Sequence, residues 1–224
     1  NLNKVLSEFN RRVDLFYGEA TDVFNYLIKD LDIISVFSYQ ESGIQGSWER
    51  DKKIKQFCKS NQISWKESQR DGILRGIKNR ENWNKKWHLK MHKSVIQNKY
   101  TISKKTHLEH PFLMPSKLES QLKEYPNYYQ PPGEKNAWRY LRSFANQRGY
   151  NYSRHISKPM ESRVSCSRLS PYLAWGNMSI KQAFQFIGTH TNRTRYSKAF
   201  SAMLTRLHWH CHFIQKFEME CRYE

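Results

Sequence analysis

The chain has 224 residues, room for one large domain or two small ones, and 38% of them are apolar, enough for a core. Lys and Arg number 38 against 20 Asp and Glu, a net charge of +18, and residues 134–224 alone carry 15 minus 5, or +10; such an excess is the footprint of a polyanion partner, nucleic acid first. No run approaches the roughly 18–20 apolar residues of a membrane span, and four cysteines without CxxC spacing or disulfide-framework density read as a reduced, cytoplasmic protein.

In chain order, NLNKVLSEFN opens on a helical pattern with neither Met nor a signal-like segment, as the inside of a longer protein would. VDLFYG (13–18) reads as a strand, EATDVFNYLIKD (19–30) as an amphipathic helix and ISVFSYQ (34–40) as a second strand. SWERDKKIKQFCKSN (47–61) is again helical and ISWKE (63–67) a third strand, so the alternation predicts an α/β domain with a parallel sheet over residues 1–100. No G-x-G-x-x-G accompanies it, which removes the usual dinucleotide fingerprint. Residues 101–133 hold five of the seven prolines and are expected to form a linker without regular elements. From Glu134 helical periodicity takes over, predicting an all-helical domain over 134–224.

The stretch SCSRLSPYLAWGNMS (165–179) is the densest in signals. Ser170-Pro171 reads as an N-cap followed by proline at the first helical position, and Gly176 as a stop. Ser179 with Gln182 reads as a capping box opening the next helix. Ser167, Arg168 and Ser170 therefore sit where a helix presents unpaired N–H groups, a place for a phosphate. Aromatics at 14% beside many cations suit stacked bases or a planar cofactor, although most aromatics simply fill cores. In HWHCH (208–212), His208 and His212 fall at i, i+4 with Cys211 adjoining, a zinc-like spacing that still lacks a fourth ligand.

YQESGIQGSWERD (39–51), GILRGIKNRENWNKKW (72–87), YNYSRHISKP (150–159) with SCSRLSPYLAWGNMS, and LHWHCHFIQKFE (207–218) follow one another in an order that resembles the photolyase/cryptochrome family. The resemblance spans essentially the whole chain but a middle portion of the family's length. It implies the end of a parallel-sheet antenna domain (1–100), an interdomain linker (101–133) and the first part of a helical FAD-binding domain (134–224).

The same resemblance implies flavin contacts at Tyr150, Cys166, Ser167, Arg168, Leu169, Ser170 and His210, and a lesion-stacking role for Trp209. Four positions depart from the family pattern: Tyr39 for His, Cys166 for Thr, Arg206 for an acidic lesion contact, and His210 for a flavin-contacting Arg. The implied activity is that of a deoxyribodipyrimidine photolyase, a monomer when complete, acting on damaged duplex DNA. The alternative is a cryptochrome-type photoreceptor or DNA-binding flavoprotein without repair. Arg193, Arg195 and Lys198, in one polar segment, are candidates for DNA phosphates. An antenna folate or deazaflavin would sit near Glu41 and Gly43–Ser47, although a satisfied loop carboxylate is the plainer reading of Glu41. Residues 1–224 alone are expected not to hold FAD stably.

Overall fold

A computed structural model describes residues 2–104, 108–124, 126 and 128–220. The helices are α1 (Leu2–Leu6), α2 (Ala20–Asp30), α3 (Gln45–Ser60), α4 (Trp83–His92), α5 (Ser116–Lys123), α6 (Glu134–Ser143), α7 (Tyr152–His155), α8 (Pro159–Ser165), α9 (Ser170–Ala174), α10 (Ile180–Thr189) and α11 (Ser197–Met219). The strands are β1 (Ser35–Tyr39) and β2 (Ser64–Ser68). The described residues divide into two compact units, one from those in the segments 2–70 and 98–130, the other from those in 71–97 and 131–220.

The first unit is built on a β-α-β element. β1 and β2 pair in parallel, from Ser35 opposite Ser64 to Tyr39 opposite Ser68, with α3 as the crossover. Its small core joins Ile54, Cys58 and Ile63 with Phe24 and Ile28 of α2 and with Val36 and Trp65 of the strands. The α/β class with a parallel sheet is therefore present, but the sheet has two strands among the described residues rather than the three expected.

The run VDLFYG is not one of them. Tyr17 donates its backbone N–H to the Phe112 carbonyl (3.0 Å), and Phe16 stacks on His110 with ring centroids 4.1 Å apart. The Phe16 ring and the Tyr17 backbone engage residues 110–112 in place of a sheet edge. The expected structureless linker is also corrected, because α5 lies within it. Pro115 takes the N-cap and no proline follows before Pro126, so eight residues are free to turn, with a Glu119–Lys123 pair at 2.8 Å.

In the second unit, α6 buries Ala137 and Leu141 and runs into a π-helical turn, Phe144–Arg148, whose Phe144 and Ala145 are buried. α11 sends Ala199, Phe200, Met203, Leu207 and Cys211 into the same core, a stripe at helical spacing. Residues 71–97 join this core rather than the α/β unit, which corrects the boundary expected at residue 100. Trp83, Trp87 and Met91 recur every fourth residue, and each is at most 3% exposed. Gln215 is fully buried and satisfied, accepting from the Leu74 N–H (2.7 Å) and donating to the Leu74 carbonyl (2.9 Å).

Candidate functional site

The site grows from the π-turn at the end of α6. One extra residue in that turn lets Gly149 donate to the Phe144 carbonyl (2.9 Å) and aims Arg148 at the loop ahead of α9. Gly149 is required there, since a Cβ would come within 2.6 Å of the buried Phe144 ring. The Arg148 guanidinium donates to the carbonyls of Tyr140 (3.1 Å), Val164 (2.8 Å) and Ser167 (3.3 Å), to the Cys166 carbonyl, and through Nε to Ser143 Oγ (3.2 Å). Burial holds its pKa below the ordinary arginine value, but it remains charged.

Because a peptide's C=O and N–H point in opposite directions, holding the Cys166 and Ser167 carbonyls turns the next two N–H groups, those of Ser167 and Arg168, away from Arg148. The backbone is then left-handed at Arg168 (φ +61°) and right-handed at Leu169 (φ −85°, ψ −15°). That alternation gathers successive N–H groups into one concavity of the kind that takes an anion. A non-glycine residue at positive φ is uncommon, and such conformations cluster at ligand clamps.

Charge reinforces the shape. Burial pushes the Cys166 thiol above its usual range, while Arg148, Arg168 and Arg206 pull the other way, so three guanidiniums act on one sulfur. Tyr152, beneath them and edge-on to Phe144, has its pKa pushed up to about 12, mainly by burial. Leu169 is buried and anchors the turn. Ser170 does not cap α9: it is the first helical residue, is exposed, and follows Leu169 at the N-cap. The Gly176 stop is present as a Schellman pair, with Asn177 N–H on the Tyr172 carbonyl (2.8 Å) and Gly176 N–H on Leu173 (3.3 Å). The Ser179–Gln182 capping box is complete.

A cleft of about 520 Å³ adjoins this loop, lined by Arg148, Tyr150, His155, Ser165, Arg195 and Tyr196 among others. Its wall carries an edge-on Tyr150–Tyr196 pair (5.3 Å) and a His155 Nδ1–Ser165 Oγ hydrogen bond (2.7 Å). Tyr150 and Arg195, taken from the sequence for different roles, thus share one cavity. Arg193 and Lys198 do not line it: Arg193 donates to the Gly188 carbonyl (3.1 Å) at the end of α10, and Lys198 stands exposed on the first turn of α11.

On α11 the Arg206 guanidinium lies over the Trp209 ring, 4.7 Å from its centroid, and Trp209 is 42% exposed with the exposed Phe213 edge-on beside it. His210 is half-buried on the same helix. His208 instead packs against Trp83 and Trp87, and burial pushes the Cys211 thiol up to about 11. Among the described residues no three His, Cys, Asp or Glu side chains converge as a metal would need. In the α/β unit, Glu41 is held by Arg50 (2.6 Å), which also grips Asp51 (2.7 Å).

Arg148 is the residue that sequence reasoning missed. The signal available was an arginine five residues past the end of α6, beside a glycine, and nothing in spacing reveals a π-turn. No protein-family model matches this chain, and no curated protein does.

Proposed function

We propose that the protein is a flavin-dependent blue-light protein acting on DNA, of the photolyase/cryptochrome kind that its motifs resemble. The observation that supports this most is the Cys166–Leu169 turn, whose carbonyls are held by Arg148 so that its N–H groups face the other way, with Arg168 and Arg206 acting on the same turn at Cys166. Such a turn fits the pyrophosphate of FAD, which needs donors and positive charge but no metal. Ser167, Arg168 and Leu169 would hold that group, with the Tyr150 cleft opening beside the preceding helix at Val164 and Ser165 and His210 carried half-buried on α11. When bound and reduced, excited FAD supplies an electron to a pyrimidine dimer and recovers it after the ring is split. The chain's part is to fix the phosphates, exclude water with Leu169 and Tyr152, and offer a cationic aromatic face at Arg206–Trp209 to an extruded base.

That face also favours the second reading, a photoreceptor or DNA-binding flavoprotein without repair. The Arg206 guanidinium lies over the ring that a lesion would occupy, and it can donate to a pyrimidine but not accept from its N–H edge. The test is the absorption spectrum of the purified full-length protein, followed by light-dependent repair of dimer-containing DNA. A flavin spectrum with repair supports the first reading, and a flavin spectrum without it the second. A colourless protein that takes up no added FAD overturns both.

A further inference from the structure

We propose that the seam between α4 and α11 is an acid-sensitive latch, in which protonation of His208 and His212 loosens α4 from the helix that carries Arg206, Trp209 and His210. Four histidines meet there, two at i, i+4 on each helix. His88 and His208 stack with centroids 6.1 Å apart, His88 lies 6.3 Å from His92, and His208 lies 6.4 Å from His212. His208 is wedged against Trp87 (4.7 Å) and Trp83 (5.0 Å), and its Nε2 is buried without a hydrogen-bond partner. A proton there would bury a charge on an atom with nothing to receive it.

His212 is constrained differently. Arg80 Nη1 lies 3.0 and 3.1 Å from its two ring nitrogens. Equidistant from both, the guanidinium lies against the ring rather than along one lone pair, and it can only donate. Protonation would therefore set two cations in direct contact.

The surroundings offer no compensation. His88 and His212 act on His208, and Arg80 and Lys216 on His212, all disfavouring the charged ring after burial itself. α4 further contributes Lys85, Lys86 and Lys90, and α10, packed against both helices, contributes Phe184 to the rings and Lys181. α7 and the Thr191–Arg193 turn, also on α11, bring Arg154, His155 and Arg193. Of the carboxylates, Glu218 pairs with Arg75 (3.7 Å), Glu81 is exposed on the loop before α4, and Asp71 is placed to act on Lys90 and Cys211.

The sign follows from linkage. Both rings are held below the ordinary imidazole value of 6.5, so the separated helices accept protons that the closed seam refuses. Closure is then fully favoured above that value and weakens as pH falls below it, levelling off once the closed-state values are passed. The Gln215–Leu74 pair of hydrogen bonds does not titrate and keeps the loop attached, so opening is a local separation rather than unfolding.

Hydrogen exchange in the full chain at pH 7.5, 6.5 and 5.5, expressed as protection factors, tests this. Protection across α4 is expected to fall between pH 7.5 and 5.5 while that of α10 holds, because the opened seam takes up protons that the closed one refuses. In the His208→Phe/His212→Gln double variant that fall should vanish. Should the double variant not fold, His212→Gln alone leaves an acceptor for Arg80 and should show a smaller fall than wild type. PH-independent protection of α4 in wild type, or an undiminished fall in the variant that folds, overturns the proposal.

Discussion

Arg148 shows how one side chain can set the conformation of a loop sixteen to nineteen residues away. Its five hydrogen bonds, four of them to carbonyls, replace the regular pairing that an irregular loop lacks. Arg148→Met keeps most of the stem but leaves those carbonyls without their donor. Unfolding free energy from urea titration should fall by about 2–4 kcal/mol, since each buried group left unpaired costs on the order of 1–3 kcal/mol and some regain water. A loss under about 1 kcal/mol would mean that the loop holds its shape without the guanidinium. The sequence pointed to Ser167, Arg168 and Ser170 as a helix start suited to a phosphate, but it gave no sign of the left-handed backbone at Arg168. Positive φ leaves no mark when the residue is not glycine.

Among the elements, a signal that closes on itself was read correctly, a half-complete one such as the Ser170 cap was not, and neither were those depending on a distant partner. Ser179 and Gln182 close a capping box between themselves, so their sequence alone sufficed. Ser179→Ala removes the acceptor for the Gln182 N–H (3.1 Å) and should cost about 1 kcal/mol, a drop of a few degrees in melting temperature. No change would show that the Ile180, Ala183 and Ile187 packing fixes α10 unaided. VDLFYG, by contrast, had strand composition but needed a strand to pair with, and its Phe16 ring and Tyr17 N–H found residues 110–112 instead. α4 was assigned to the wrong neighbour for the same reason. The Trp83–Trp87–Met91 spacing announces a buried helix face, but periodicity does not say which core receives it.

At the scale of the whole molecule, net charge was legible and its deployment was not. The +10 of residues 134–224 suits a polyanion without assigning one, and individual cations are already engaged. Arg193 is tied to the Gly188 carbonyl, whereas Arg195 lies over the Tyr196 ring (5.5 Å) at the cleft and Lys198 is exposed. If duplex DNA approaches this side, Arg195 and Lys198 supply phosphate contacts and Arg193 chiefly holds the end of α10. Each phosphate neutralised contributes about 0.9 to the slope of log affinity against log salt. Reversing Arg195 and Lys198 to Glu should therefore reduce that slope by about two, with binding to undamaged and dimer-containing duplex weakened alike. Adding Arg193→Glu should change the slope little further while lowering the melting temperature, because a carboxylate cannot donate to the Gly188 carbonyl. Fluorescence anisotropy of labelled duplex between low and physiological salt reads the slopes. An equal step for each of the three reversals would make Arg193 a phosphate contact like the others, and no step at all would move the DNA surface away from this segment.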